Sequence, residues 1–254
     1  MRATPVYRLA WVEAKLFVRE PLTVVITYAF PLIMLFALAE VFGTEIERDD
    51  ETGKLIFRGV PPTEYYASAY VALVAAGVGL VSLPSHVAAY REHGIFRRFR
   101  ASGFSASTVF AAQVAVSLTM AFFGAAFVLV AMKLAYGVRL PDRPVEALAV
   151  FILIALVFSA LGILLGAVLP TARAAQGAGI LLFFVMLILS GAGPPPEVMS
   201  STMQHIADVL PLTHAIRLLQ DQWLGFDWTG VALAALGGFL VASTALAIRL
   251  FRWE

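Results

Sequence analysis

Ala147-Leu-Ala-Val-Phe-Ile-Leu-Ile-Ala-Leu-Val-Phe-Ser-Ala-Leu-Gly-Ile-Leu-Leu-Gly-Ala-Val-Leu-Pro-Thr-Ala172 runs for 26 residues without a charged side chain. A helix that crosses the hydrocarbon core of a bilayer needs about 20 such residues. Five further uncharged runs surround it: Leu22–Ala39, Tyr65–Tyr90, Ala101–Met132, Ala174–Pro196 and Trp228–Ile248. Each is long enough to span, the first by continuing past Glu40. The whole chain of 254 residues is 60% hydrophobic and 14% charged, with a mean hydropathy of +0.85. An ordinary soluble domain has roughly 45–50% apolar and about 25% charged residues. The chain therefore reads as one all-α integral membrane domain. Six transmembrane helices are expected over 22–42, 64–89, 106–134, 146–169, 174–193 and 228–248.

The segments between the spans are not equivalent. With both termini on one side, that side collects 11 of the 18 Lys and Arg residues, among them Arg8, Lys15, Arg19, Arg97, Arg98 and Arg249. It collects only four of the 17 acids: Glu13, Glu20, Glu92 and Glu254. The positive-inside rule makes that side cytoplasmic. Residues 4–20 fit an amphipathic interfacial helix, with Arg8, Lys15 and Arg19 in one stripe and Tyr7, Trp11 and Phe17 among the opposite face. The first apolar run is too long for a signal-peptide core and reads as a retained anchor. Cysteine is absent, which leaves the redox compartment open.

Three segments belong to the outer side, one of them the short 137–144 loop. Residues 43–63 are polar, and Asp49–Lys54 reads as a turn before a strand-like Leu55-Ile56-Phe57. After the fifth span, Ser190-Gly-Ala-Gly-Pro-Pro-Pro196 stops the helix. Residues 197–224 are then too polar to span and too apolar for a plain loop. Apolar residues recur there at helical spacing on both sides of Pro211, as in two short outer helices. Such helices can re-enter a bilayer where protein or a water-filled cavity covers their ends. Pro195, Pro196, Pro211, Leu212 and His214 are the candidates for an outer gate.

No phosphate-binding glycine loop, zinc-protease motif or nucleophile elbow occurs, so nothing points to a catalytic residue or to a nucleotide held by this chain. Glu40, His86 and Lys133 are the ionisable residues near the predicted span ends. His86 and His93 are too few to argue a metal site. Gln113, Ser117 and Thr119 are neutral polar residues that could line a path. An intramembrane enzyme would need a buried nucleophile or metal cluster. A stand-alone carrier or channel would need deep ion-binding carboxylates, and none is evident.

The positive signal is the loop over residues 90–105. Arg91, Glu92, His93, Arg97, Arg98 and Arg100 surround Gly94, Phe96 and Phe99. A loop that only sets topology needs basic residues but has no use for the phenylalanines, whereas aromatic and Arg anchors dominate protein interfaces. Glu92-His-Gly-Ile-Phe-Arg-Arg-Phe-Arg-Ala-Ser-Gly-Phe-Ser105 resembles the Glu-x-Gly-Thr-Leu-x-Arg-Leu-x-Ala-Thr-Pro-Leu-Ser signature of ABC-2-type export permeases of the daunorubicin-resistance kind, departing from it at Ile95 and Gly103. Leu210-Pro-Leu-Thr-His-Ala-Ile-Arg217 is similar to the segment that precedes the last span in that family. The resemblance implies a permease subunit in a prokaryotic plasma membrane, paired with a second copy or a sister chain. It implies a cytoplasmic ATPase subunit that binds ATP and Mg and seats the 90–105 element, with Glu92, Arg97 and Arg98 docking and Phe96 and Phe99 anchoring. The implied cargo is an amphipathic drug or lipid moving outward, with membrane lipid as a partner and no nucleic acid.

Overall fold

In the computed structural model, residues 24–48, 53–103 and 106–251 are described. The expected interfacial helix, with Tyr7, Arg8, Trp11, Lys15, Phe17 and Arg19, lies outside them. Six helices are long and apolar enough to cross a membrane: Val25–Phe42, Pro62–Glu92, Thr108–Tyr136, Pro144–Val168, Ala172–Leu189 and Gly230–Leu250. Among the described residues there is no strand. The expected strand at Leu55-Ile56-Phe57 reduces to one antiparallel bridge, Arg48 with Leu55. Phe57 and Arg58 then take φ of +54° and +58°, which ends any extended run.

The first span is a π turn, Val25–Ala29, followed by α1 (Phe30–Phe42). The second is α2 (Pro62–Gly77), a π turn Val78–Ser82, and α3 (Leu83–Glu92). Both π turns end two residues before a proline, Pro31 and Pro84. A proline inside a helix lacks the N–H for its own turn and clashes with the carbonyl four residues back. Widening the preceding turn relieves both faults and lets the helix continue. The remaining elements are α4 (Ile95–Ala101), α5 (Ala106–Tyr136), α6 (Pro144–Val168), α7 (Ala172–Leu189), α8 (Ser201–Ala207), α9 (Pro211–Trp223) and α10 (Gly230–Leu250).

The second span is the axis of the bundle. Within its most apolar stretch 94% of the residues are buried in the protein, against 22% for the first and sixth spans. Its neighbours shift along its length: α2 packs on α1, α5 and α9, α3 packs on α6 and α7, and α6 lies against both halves. Small residues permit that crowding. A Cβ at Gly162 would overlap the Gly79 carbonyl, and one at Gly179 would overlap the Leu80 carbonyl. Helices α6 and α7 therefore touch the second span backbone to backbone, at its π turn.

The short helices after α7 close one end of the bundle. The helix α9 is nearly all buried, packed on α2, α6 and α10, and its polar Gln220, Asp221 and Gln222 are 1%, 0% and 0% exposed. Its last carbonyls are not left unpaired: the N–H groups of Asp142 and Arg143 donate to Trp223 and Gln222 at 3.1 Å each.

Candidate functional site

Helix α3 stops at Glu92, and His93 and Gly94 turn the chain into α4. Gly94 has φ +64°, a conformation that costs other residues energy, so the second helix starts one residue later. His93 Nδ1 lies 2.8 Å from the Ala89 carbonyl and closes the end of α3. The result is a helical elbow. Phe96 is 1% exposed on its inner face. Its ring meets Tyr90 at 5.8 Å and Phe251 at 5.0 Å, both edge-to-face, and Phe110 at 6.0 Å. Phe99 is half-buried with its ring 6.2 Å from Tyr90. Phe96 thus fills the protein's own core, where the sequence reading expects an anchor for a partner. The physical reason is that Phe110 and Phe251 offer it an apolar seat within the chain.

The charged residues of the elbow divide into two groups. Arg91 donates from both terminal nitrogens of its guanidinium, to the carbonyls of Ala167 and Leu169. Glu92 Oε2 accepts the Ala172 N–H at 3.1 Å. Both side chains therefore engage the turn between α6 and α7. Arg97 and Arg98 are exposed, and among the described residues neither has an ion pair or side-chain hydrogen bond. Their charge faces outward on a helix fixed from behind by Phe96. The Arg100 side chain lies outside the described set.

The opposite end of the bundle carries charge in another way. Arg58 Nη2 donates to Asp221 Oδ1 at 2.7 Å, and Nη1 reaches Gln220 Oε1 at 3.2 Å and the Arg217 carbonyl at 3.4 Å. Its guanidinium also lies 4.3 Å from the centre of the Phe226 ring. Asp221 Oδ2 accepts the Thr229 N–H at 2.9 Å, so this buried carboxylate has a partner on each oxygen. Next to Arg58, Phe57 is fully buried and packs edge-to-face on Phe42, Tyr65 and Tyr66. Arg139 forks onto Glu64 at 2.8 and 2.6 Å, and that hydrogen-bonded carboxylate holds the guanidinium pKa above its ordinary value.

The expected gate residues form a second elbow. Pro211 opens α9, Leu212 is fully buried, and Thr213 Oγ1 donates to the Ala207 carbonyl at 2.6 Å. His214 Nε2 lies 2.9 Å from the Asp208 carbonyl. These contacts fix the angle between α8 and α9. Pro195 is buried and Pro196 begins a 3₁₀ turn on the far side of the same segment. Of the path candidates, Gln113 and Ser117 are buried and share a narrow polar slot with Ser82 and His86, beside the second π turn. Thr119 does not join them: it is exposed and its hydroxyl donates to Ala115 in its own helix.

Sequence reasoning missed Asp221 and Arg58. A signal existed, since Gln220-Asp221-Gln222 interrupts an apolar helical pattern with three adjacent polar residues. Nothing in the sequence marked the α6–α7 turn as the seat of Arg91, because the acceptors are backbone carbonyls.

Six apolar spans, the second of them buried among the rest, with a basic helical elbow at one end, make a multi-pass membrane protein. The family model described as ABC-2 type transporter matches residues 4–223, most of the chain. The protein belongs to that family and is a transporter permease subunit. No curated protein matches it closely enough to count as a relative.

Proposed function

We propose that this permease subunit is the membrane half of an ATP-binding-cassette exporter, driven by a separate cytoplasmic ATPase subunit that holds ATP and Mg. The observation that carries the proposal is the elbow: Arg97 and Arg98 are exposed and have no partner among the described residues, on a seven-residue helix whose Phe96 is buried in the core. A rigid helix with free arginines suits an acidic groove on a soluble partner. The distribution of Lys and Arg in the sequence supports a cytoplasmic location for this end and for both termini, and the family resemblance supports a plasma membrane of prokaryotic type. The opposite end, with α8 and α9, would then face outward and release cargo. A second copy of the chain, or a sister permease, completes the transport unit.

The cargo we propose is an amphipathic drug or lipid. A groove of about 620 Å³ between α5, α6 and α10 is lined by apolar side chains, with Thr244 the one hydroxyl. The intramembrane slot at Gln113 and Ser117 adds a few polar groups and no carboxylate. Both features favour hydrophobic binding with few hydrogen bonds. The resemblance of residues 92–105 and 210–217 to drug-export permeases agrees with this reading.

Purification of the tagged chain from its native membranes in mild detergent tests the assignment. A P-loop ATPase should co-purify in stoichiometric amount. Arg98→Glu should remove it, or leave ATP hydrolysis uncoupled from transport, while the protein stays folded. A chain that purifies alone and moves solute in liposomes without ATP would replace the exporter with a stand-alone carrier.

A further inference from the structure

Arg91 and Glu92 are adjacent, opposite in charge, and aimed at the opposite poles of two consecutive helices. The guanidinium sits on carbonyls at the C-terminal end of α6, where the helix leaves its last acceptors unpaired. The carboxylate sits on the N–H of Ala172, the first residue of α7, where donors are left unpaired. Each charge also matches the sign of the helix dipole it meets. Arg91 Nη1 and Nη2 together grip the turn bidentately, a geometry an ammonium could not reproduce. Above this grip the same three helices touch without intervening side chains, at Gly162 against Gly79 and at Gly179 against Leu80.

A loop that only joined α3 to α4 would need none of this. We infer that Arg91 and Glu92 are positioning residues of the transport cycle: they clasp the α6–α7 turn so that a displacement of the elbow moves spans two, four and five as one body. The inference rests on the exporter reading, in which a partner displaces α4. It assigns the push to the fourth and fifth spans directly, through side chains that the partner does not need to touch.

The chain has no cysteine, so a pair can be introduced cleanly. In the assembled transporter in liposomes, Glu92→Cys with Ala172→Cys should lower ATP-driven transport, and bridging the two thiols with a short bifunctional thiol-reactive reagent should restore it, because the bridge replaces a contact that never opens. No gain of transport on bridging, or a further loss, would overturn the inference. So would failure of the reagent to bridge the pair. Arg91→Gln should lower transport per ATP hydrolysed about tenfold, within the usual span of coupling effects. Arg91→Lys should recover only part of it, since one ammonium cannot fork. An unchanged transport-to-hydrolysis ratio in Arg91→Gln also rejects the clasp, whereas a purely structural defect would depress both rates together. Absence of any ATP-dependent transport in the unmodified protein would instead break the exporter reading on which this rests.

Discussion

Arg58 and Arg98 stand at opposite ends of one helical bundle. Arg58 reaches Asp221, Gln220, the Arg217 carbonyl and the face of Phe226, whereas Arg98 has no partner among the described residues. The difference follows from what lies behind each residue. Behind Arg58 is a buried carboxylate, fully desolvated, which must be neutralised wherever the chain puts it. Behind Arg98 is an aromatic cluster that holds the helix but offers no charge. One end of the molecule uses arginine to close itself, and the other presents arginine to its surroundings. Net charge per loop does not separate these cases; the burial of the nearest acid does.

This contrast can be broken or sharpened by substitution. Arg58→Ala should cost about 4 kcal/mol of stability, because Asp221 would be left buried and uncompensated. Thermal unfolding in detergent checks it, and Arg98→Ala in the same assay should leave the transition where it was. Equal shifts for the two arginines would erase the distinction drawn between the ends. Phe96→Ala should cost about 3 kcal/mol, the usual penalty for emptying a large aromatic site. A Phe96→Ala variant as stable as the parent, yet lost to its partner, would return that ring to an interface role. Glu64→Gln should cost less than about 1 kcal/mol, since Arg139 is well exposed and water takes the place of the lost pair. A loss comparable to that of Arg58→Ala would show that exposure is a poor guide at this end.

Much of the architecture was legible in the sequence for a simple reason: span-forming hydropathy is a local property, and the six helices lie where the uncharged runs lie. The break at Pro211 was legible on the same terms, because proline acts on its own turn. The direction in which Phe96 points was not. A helix of seven residues has two faces of similar composition, and the choice between them depended on Phe110 and on Phe251, far away in the chain. Asp221 was hidden for a related reason, since its partner lies 163 residues earlier in a loop that reads as solvated. Leu55-Ile56-Phe57 had strand composition, but the aromatic seat for Phe57 outweighed local propensity and bent the backbone into a left-handed turn. For the elbow, the sequence revealed the inventory of charges, and only the three-dimensional arrangement sorted them into clasp and display.

The π turn at Val78–Ser82 also sets a phase. Such a turn accommodates one residue more than α-helical winding would, and each residue of a helix advances the side chains by about 100°. Counted along the sequence, the apolar pattern of the second span therefore slips by one residue between α2 and α3, while in space the wider turn absorbs the extra one. Removal of a single residue between 78 and 82 would keep nearly every side chain in the protein. It would let the turn close to α-helical winding with Arg91, Glu92 and the elbow still facing the α6–α7 turn, whereas removal of a residue from α2 or α3 would swing them round by about 100°. Substitutions in this segment test chemistry, whereas its length is a tolerance: the wider turn is the place in the second span where a residue can be lost without turning the elbow.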